Sequence, residues 1–236
     1  MSQKNRAIEI RKFYASCLKK NELATMYLDY SGVILRTSNR AIAIDPGNLL
    51  GKEVEALEKL DLIIFTHSHG DHYSSKDTVD ILKVTNADVL AEPLVAKDLK
   101  ERIPSEKLTS TKHGETHILR EILVSTVKGI HGCSINIYKI KMEAINIFHA
   151  GDSGYVSVER YPVDIAFLPT GIERPFTPTS SPENAFKMAL ELKPSIIVAF
   201  HGSLAHSKEL ANKVKERMPD TTVIIPEPYT TKILAI

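Results

Sequence analysis

The residues best suited to chemistry stand at His67-Ser68-His69-Gly70-Asp71-His72, directly after the apolar run Leu62-Ile63-Ile64-Phe65-Thr66. Imidazoles beside a carboxylate form a donor set for zinc or a similar divalent cation. Residues two apart in extended backbone point to the same side, so His67 and His69 can grip one metal together. Asp71 and His72 lie beyond Gly70, where the chain can turn sharply, and can face a second metal beside the first. Further donors each close an apolar segment. His131 follows Val127-Lys128-Gly129-Ile130, Asp152 sits in Phe148-His149-Ala150-Gly151-Asp152-Ser153-Gly154, and His201 ends Ile196–Phe200. The small residues around Asp152 suit a carboxylate set deep in a cleft and shared by two cations. The chemistry expected of such a set is the conversion of water into a nucleophile.

These residues need strand ends to hold them. Leu62–Thr66 reads as a buried strand, and Ala41–Asp45, Glu121–Val127, Ala144–Phe148, Ile165–Leu168 and Ile196–Phe200 read as others. Further extended segments are expected at Thr25–Leu28, Gly32–Arg36, Asp88–Leu90, Leu108–Thr111, Ser134–Ile140 and Thr222–Ile225. Helices are expected over residues 4–20, Glu53–Leu60, Lys76–Thr85, Pro93–Arg102, Asn184–Leu192 and Ser207–Arg217. Ser74 or Ser75 suits the N-cap of the third, and Ser181 followed by Pro182 opens the fifth. In the first helix Ile8, Ile10, Phe13, Tyr14, Cys17 and Leu18 are the candidate inward positions, its basic residues forming a solvated face. Asp45-Pro46-Gly47 reads as a turn. A β-rich first part followed by mixed strands and helices fits an α+β fold of two packed mixed sheets with helices outside, better than regular βαβ alternation.

The bulk composition sets bounds. The 236 residues carry a net charge of +1, with 43% hydrophobic, 25% charged and 6% aromatic residues. The length suits one large domain or two small ones, and the apolar material is enough for a sizeable core. Near-neutral charge and the lack of a polybasic run argue against a nucleic-acid binder with a broad electrostatic footprint. An anionic or phosphorylated small molecule stays open as substrate, because metal ions supply their own positive charge. Two cysteines, Cys17 and Cys133, make no disulfide framework. The N-terminal residues alternate charged and apolar types, unlike a signal peptide, and no segment has the apolar length of a membrane span. A cytoplasmic protein is the expectation, with a homo-oligomer left open.

HSHGDH, His131, HAGDSG and FHG, in this order, resemble the metal-binding motifs of the metallo-β-lactamase superfamily over about residues 25–225. Ala43-Ile44-Asp45-Pro46-Gly47, His113-Gly114-Glu115, Phe176-Thr177 and Pro182-Glu183-Asn184-Ala185 add a resemblance to the branch of metal-dependent hydrolases that includes the L-ascorbate-6-phosphate lactonases. The resemblance implies a single domain over residues 1–236, an N-terminal helical segment (1–24) followed by a four-layer αβ/βα sandwich. It implies two divalent metals, Zn2+ first, with Mn2+ or Fe2+ as alternatives. His67, His69 and His131 would bind one, Asp71, His72 and His201 the other, and Asp152 would bridge them. Asp71 and Asp152 are the residues expected to take part in catalysis, and Asp45 would support a ligand from behind. The activity implied is metal-dependent hydrolysis of a lactone, another ester or a phosphate-containing small molecule. A metal-dependent nuclease or phosphodiesterase is the alternative enzyme, and a non-catalytic metal-binding protein the alternative class.

Other candidates carry less. His149 reads as a packing or hydrogen-bonding residue, His113 and His117 as surface residues, and Cys133 as an inert thiol. His206 is a candidate for lining the cleft, and Arg174 for holding an anionic group of the substrate.

Overall fold

The computed structural model describes residues 2–172 and 178–236. The chain forms two compact units, Met1–Thr111 with Glu227–Ile236, and Lys112–Pro226. Each contains one seven-stranded mixed sheet, which makes the fold α+β, with five α-helices among the described residues.

The first unit runs α1 (Gln3–Ala15), β1 (Glu22–Asp29), β2 (Gly32–Arg36), β3 (Ala41–Ile44), β4 (Leu62–Phe65), α2 (Ser75–Thr85), β5 (Asp88–Ala91), α3 (Pro93–Leu99) and β6 (Leu108–Ser110). Its last strand comes from the chain's final residues, Thr231–Ala235. That strand pairs antiparallel with β1, and β1, β2 and β3 continue antiparallel. From β3 through β4 and β5 to β6 the pairing is parallel. Helices α2 and α3 connect the parallel strands, as such connections require. All residues of β3 and β4 are buried, which is why they read as unbroken apolar runs instead of alternating ones. Alternate residues, among them Ala43, Ile63, Phe65, Val89 and Ala91, pack with Ile10, Phe13, Ile81, Val95 and Leu99 of the helices into one core.

The second unit runs β7 (Thr116–Leu119), β8 (Ile122–Lys128), β9 (Asn136–Met142), β10 (Ile145–His149), β11 (Ile165–Pro169), α4 (Pro182–Leu192), β12 (Ile196–Phe200), α5 (Leu204–Arg217) and β13 (Thr222–Ile224), with Thr231–Ala235 of the first unit completing the count as β14. The sheet order is β13-β12-β11-β10-β9-β8-β7. Strands β7 to β10 are antiparallel and β10 to β13 parallel. Phe148, Ala166, Leu168, Ile197 and Ala199 pack with Phe186, Met188, Leu192, Leu210 and Val214 of α4 and α5. The runs β4-α2-β5-α3-β6 and β11-α4-β12-α5-β13 are therefore βαβ crossovers, whereas the parallel pairs β3–β4 and β10–β11 are joined without an α-helix.

Several expected elements differ. Helix α1 ends at Ala15, not residue 20, because Arg36 Nη2 donates to the Phe13 carbonyl (3.0 Å) and satisfies its last turn. Ile8 is 41% exposed, and Cys17 is exposed beyond the helix end. Glu53–Leu60 holds only a 3-10 turn at Val54–Ala56. The backbone after it bonds elsewhere: the Lys59 carbonyl accepts from the Tyr14 hydroxyl (3.0 Å), and the Asp61 N–H donates to Ala41 O (2.7 Å). Edge strands β7 and β14 have few buried residues and so lack a strong apolar signature. Ser74 caps α2 and Ser181 caps α4 as expected. No described helix is long and apolar enough to cross a membrane.

Candidate metal centre

In the first unit the HSHGDH segment leaves the C-terminal end of β4, beside the end of β3, the usual place for ligands in parallel sheets. Asp45, His67 and His72 are completely buried and have donor atoms close together. Asp45 serves as a brace. Its Oδ1 accepts from the Thr66 N–H (2.7 Å), and its Oδ2 accepts from the Thr66 hydroxyl (2.5 Å) and from His72 Nδ1 (3.0 Å). Having donated its proton to Asp45, the Thr66 oxygen accepts from His67 Nδ1 (2.9 Å). One carboxylate thus sets the tautomer of both imidazoles, placing the proton on Nδ1 and the lone pair on Nε2. That is the support a metal-binding histidine needs.

The other donors of the segment lie close by. The His67 ring centroid is 4.6 Å from that of His69 and 4.1 Å from that of His72. Asp71, a partly exposed carboxylate, places Oδ2 3.5 Å from His72 Nε2. A turn makes this possible, the N–H groups of His72 and Tyr73 donating to His69 O (3.0 and 2.9 Å). Gly70 is not what permits the turn: its φ is not positive, and a Cβ there would meet nothing. The glycine the loop needs is Gly47, with φ of 39° and room for a Cβ only 2.7 Å from Asp71 O. Asn48 Nδ2 donates to Gly70 O (2.6 Å) and ties the two loops further. Asp45 itself holds φ of 46°, a left-handed conformation that costs a non-glycine residue energy and that its buried hydrogen bonds sustain.

In the second unit His131, Asp152 and His201 come from the ends of β8, β10 and β12. Asp152 is buried, and its Oδ2 lies 2.9 Å from His201 Nε2. Its loop turns at Gly151 (φ 51°). Ser153 joins that loop to the His131 loop, accepting from the Ile130 N–H (2.9 Å), while the Gly154 N–H donates to Ile130 O (2.7 Å). His131 Nδ1 donates to Pro178 O (2.9 Å), again presenting Nε2 as the ligand atom. His201 has φ of 50°. Gly202 follows because a Cβ there would fall 2.0 Å from Thr170 O.

His149 takes the opposite tautomer. Its Nδ1 accepts from the Gly151 N–H (3.2 Å), and its ring stacks on Phe200 with centroids 5.3 Å apart. It is a buried packing residue, as its sequence context suggested. His206 Nδ1 donates to Thr170 O (3.1 Å). His117 pairs with Glu115 (3.5 Å), and Cys133 is half-buried without a disulfide. Arg174, Phe176 and Thr177 lie outside the described residues.

Within each unit, therefore, the predicted residues gather. His67, His69, Asp71 and His72 form one group, Asp152 pairs with His201, and His131 is tied to the Asp152 loop through Ser153. Sequence reasoning missed Thr66, Ser153, Gly202 and the Pro178 carbonyl. Small or hydroxyl residues immediately flanking a donor are the signal that could have found the first three. The donor chemistry, buried imidazoles with Nδ1 anchored and carboxylates beside them, fits divalent metal.

Comparison with known proteins accords with this chemistry. Residues 25–201 match the family described as the Beta-lactamase superfamily domain. A metal-dependent hydrolase of the UPF0173 group from Lysinibacillus sphaericus is 31% identical over 201 residues, covering 74% of this chain and 83% of the relative. The structure of Igni18, described as a metallo hydrolase from Ignicoccus hospitalis, superposes with a TM-score of 0.75 at 22% identity, covering 91% of this chain and 99% of that one. The metallo-β-lactamase fold protein YhfI of Bacillus subtilis gives 0.72 at 13% identity over 91% of this chain and 100% of its own. Fold and donor set together define a metallohydrolase. This chain belongs to the metallo-β-lactamase superfamily, among the UPF0173 metal-dependent hydrolases.

Proposed function

We propose that this enzyme hydrolyses small-molecule lactones or other ester- or phosphate-containing compounds with two divalent metals, zinc foremost and manganese or iron as alternatives. His67, His69 and His131 would hold one metal, Asp71, His72 and His201 the other, with Asp152 shared. The observation that carries the reading is the buried Asp45 carboxylate, which fixes two imidazoles in the ligand tautomer at once. The family match, residues 25–201, spans the sequence positions of all these donors, which supports the reading.

Bound divalent metals lower the pKa of water toward neutrality and stabilise negative charge that develops on a substrate oxygen. The chain's own residues do the rest. Asp45 and Thr66 keep His67 and His72 from rotating or changing tautomer. Asp71, the less buried carboxylate of the set, orients the attacking water and accepts its hydrogen bond. Asp152, held beside His201 by the Gly151 turn, supplies a buried negative charge that balances the cations. The reading includes a cytoplasmic enzyme without a nucleic-acid partner, supported by the net charge of +1 and by two cysteines that form no disulfide.

A panel of lactones, phosphodiesters, phosphomonoesters and thioesters, assayed with zinc or manganese, tests the substrate class. Elemental analysis tests the ligands: His201→Ala should lose about one metal equivalent and reduce turnover by about 100-fold. Unchanged metal content with full activity would overturn the ligand set. Turnover confined to single-stranded nucleic acid would overturn the substrate class.

A further inference from the structure

Within the first unit, Val79, Leu82 and Lys83 lie on one face of α2, and Asn86 caps its C-terminus. This face lines a cavity of about 280 Å³, together with the turn Arg102-Ile103-Pro104 after α3 and Lys107 ahead of β6. The apolar wall is Val79, Leu82, Ala87, Ile103 and Pro104. Ala87 and Ile103 are buried, and Val79 and Leu82 pack against the core of the unit. Among the described residues, the charged lining is wholly cationic: Lys83, Arg102 and Lys107.

Each cation has an acidic neighbour outside the lining. Lys83 donates to Asp80 (3.0 Å), Arg102 to Asp98 (3.4 Å), and Lys107 to Asp88 (3.2 Å) and Asn86 O (3.0 Å). Ammonium and guanidinium groups carry more N–H donors than these bonds use, so each cation can serve a further acceptor. Lys107 is the most enclosed of them, its side chain 19% exposed. Asn86 and Ala87 immediately precede β5 and Lys107 precedes β6, which puts the cavity at the N-terminal ends of these parallel strands. The HSHGDH donors leave the opposite, C-terminal end of β4. A molecule held in the cavity is therefore separate from the reaction at the metal centre.

An apolar cavity whose charges share one sign suits a ligand with an apolar body and a head of the other sign. A cavity of about 150 Å³ holds benzene, so this one has room for a body of roughly ten carbons. We propose that the cavity between α2, the α3 turn and β6 binds a small organic carboxylate with such an apolar body. The apolar part contacts Leu82 and Ile103, and the carboxylate accepts from Lys83, Arg102 and Lys107. This site does not depend on the hydrolase reading.

Titration of the zinc-loaded, methyl-labelled protein with 2-naphthoate, followed by NMR, tests the proposal. The methyl signals of Val79, Leu82 and Ile103 should shift saturably. Those of Ile233, on β14 at the other edge of the same sheet, should stay in place. The uncharged analogue 2-naphthalenemethanol should bind about tenfold more weakly. The combined Lys83→Gln, Arg102→Gln variant changes exposed residues only. It should weaken naphthoate binding by about three- to tenfold, with metal content and circular dichroism unchanged. Absence of saturable shifts, equal affinity for acid and alcohol, or undiminished affinity in the double variant overturns the proposal. Shifts confined to Ile44, which adjoins Asp45, would place the carboxylate at the metal centre and overturn it as well. Shifts of the cavity methyls on raising protein concentration alone would assign the cavity to a second copy of the chain, again against the proposal.

Discussion

At the scale of single residues, Asp45 holds more of the metal centre than its position outside the HSHGDH motif suggests. Asp45→Asn removes a carboxylate that accepts from Thr66 and His72 together and leaves an amide that can donate where an acceptor is required. Metal affinity should fall by about 10- to 100-fold, measured by competition with a chromogenic chelator. Thr66→Val removes only the hydroxyl between Asp45 and His67, so a loss nearer tenfold is expected, and Thr66→Ser should restore most of it. Unaltered affinity in Thr66→Val would mean that the hydroxyl does not orient His67. The donors themselves were legible in the sequence, because imidazoles and carboxylates at strand ends are rare and chemically distinctive. Thr66 and Ser153 were not, because a hydroxyl acquires this role only from neighbours brought in by the fold. Gly70 misled for a related reason: glycine in a motif suggests a strained turn, whereas the steric need lies 23 positions earlier, at Gly47.

At the scale of elements, strand ends place the donors and tight contacts hold the loops that follow. Gly202→Ala would drive a methyl into Thr170 O, a clash with backbone that no rotamer relieves. The expected cost is about 1–3 kcal/mol of stability in urea unfolding, together with loss of the metal that the proposed ligand set assigns to His201. A second prediction concerns the turn at Val54–Ala56, where Glu53 is buried. Burial, opposed in part by the Arg6 and Lys52 charges, raises its pKa. A carboxyl with a raised folded pKa favours the folded state while protonated, and that contribution is lost as pH rises from about 4.5 toward the raised value. Glu53→Gln should therefore raise Tm at pH 8, by about 2–4 °C if the gain is near 1 kcal/mol, and change it little at pH 4. An equal shift at both pH values would show that charge is not the cause. The buried parallel strands were readable as apolar runs, and helices α2 and α4 from their serine caps. The Glu53–Leu60 segment had apolar residues at helical spacing, but the Lys59 carbonyl bonds to Tyr14 of α1 and the following Asp61 N–H to Ala41 of β3 instead.

For the whole molecule, the proposed ligand set takes residues from both units. Metal at 100 times its dissociation constant would then add about 2.7 kcal/mol to stability. Stripping the metal with EDTA should lower Tm by about 5–10 °C, and zinc or manganese should reverse the change in a scanning calorimeter. An unchanged Tm in a protein shown to bind metal would place the ligands in a region that does not govern unfolding. The sheet of the first unit ends in β14, contributed by residues that follow the entire second unit in the chain. During synthesis, β1 therefore waits with one flank open until residues 231–235 have been made, and the nascent chain carries a sticky edge while the whole second unit is translated. Removal of residues 231–235 would make that vulnerability permanent, leaving unpaired β1 backbone open to pairing with another chain.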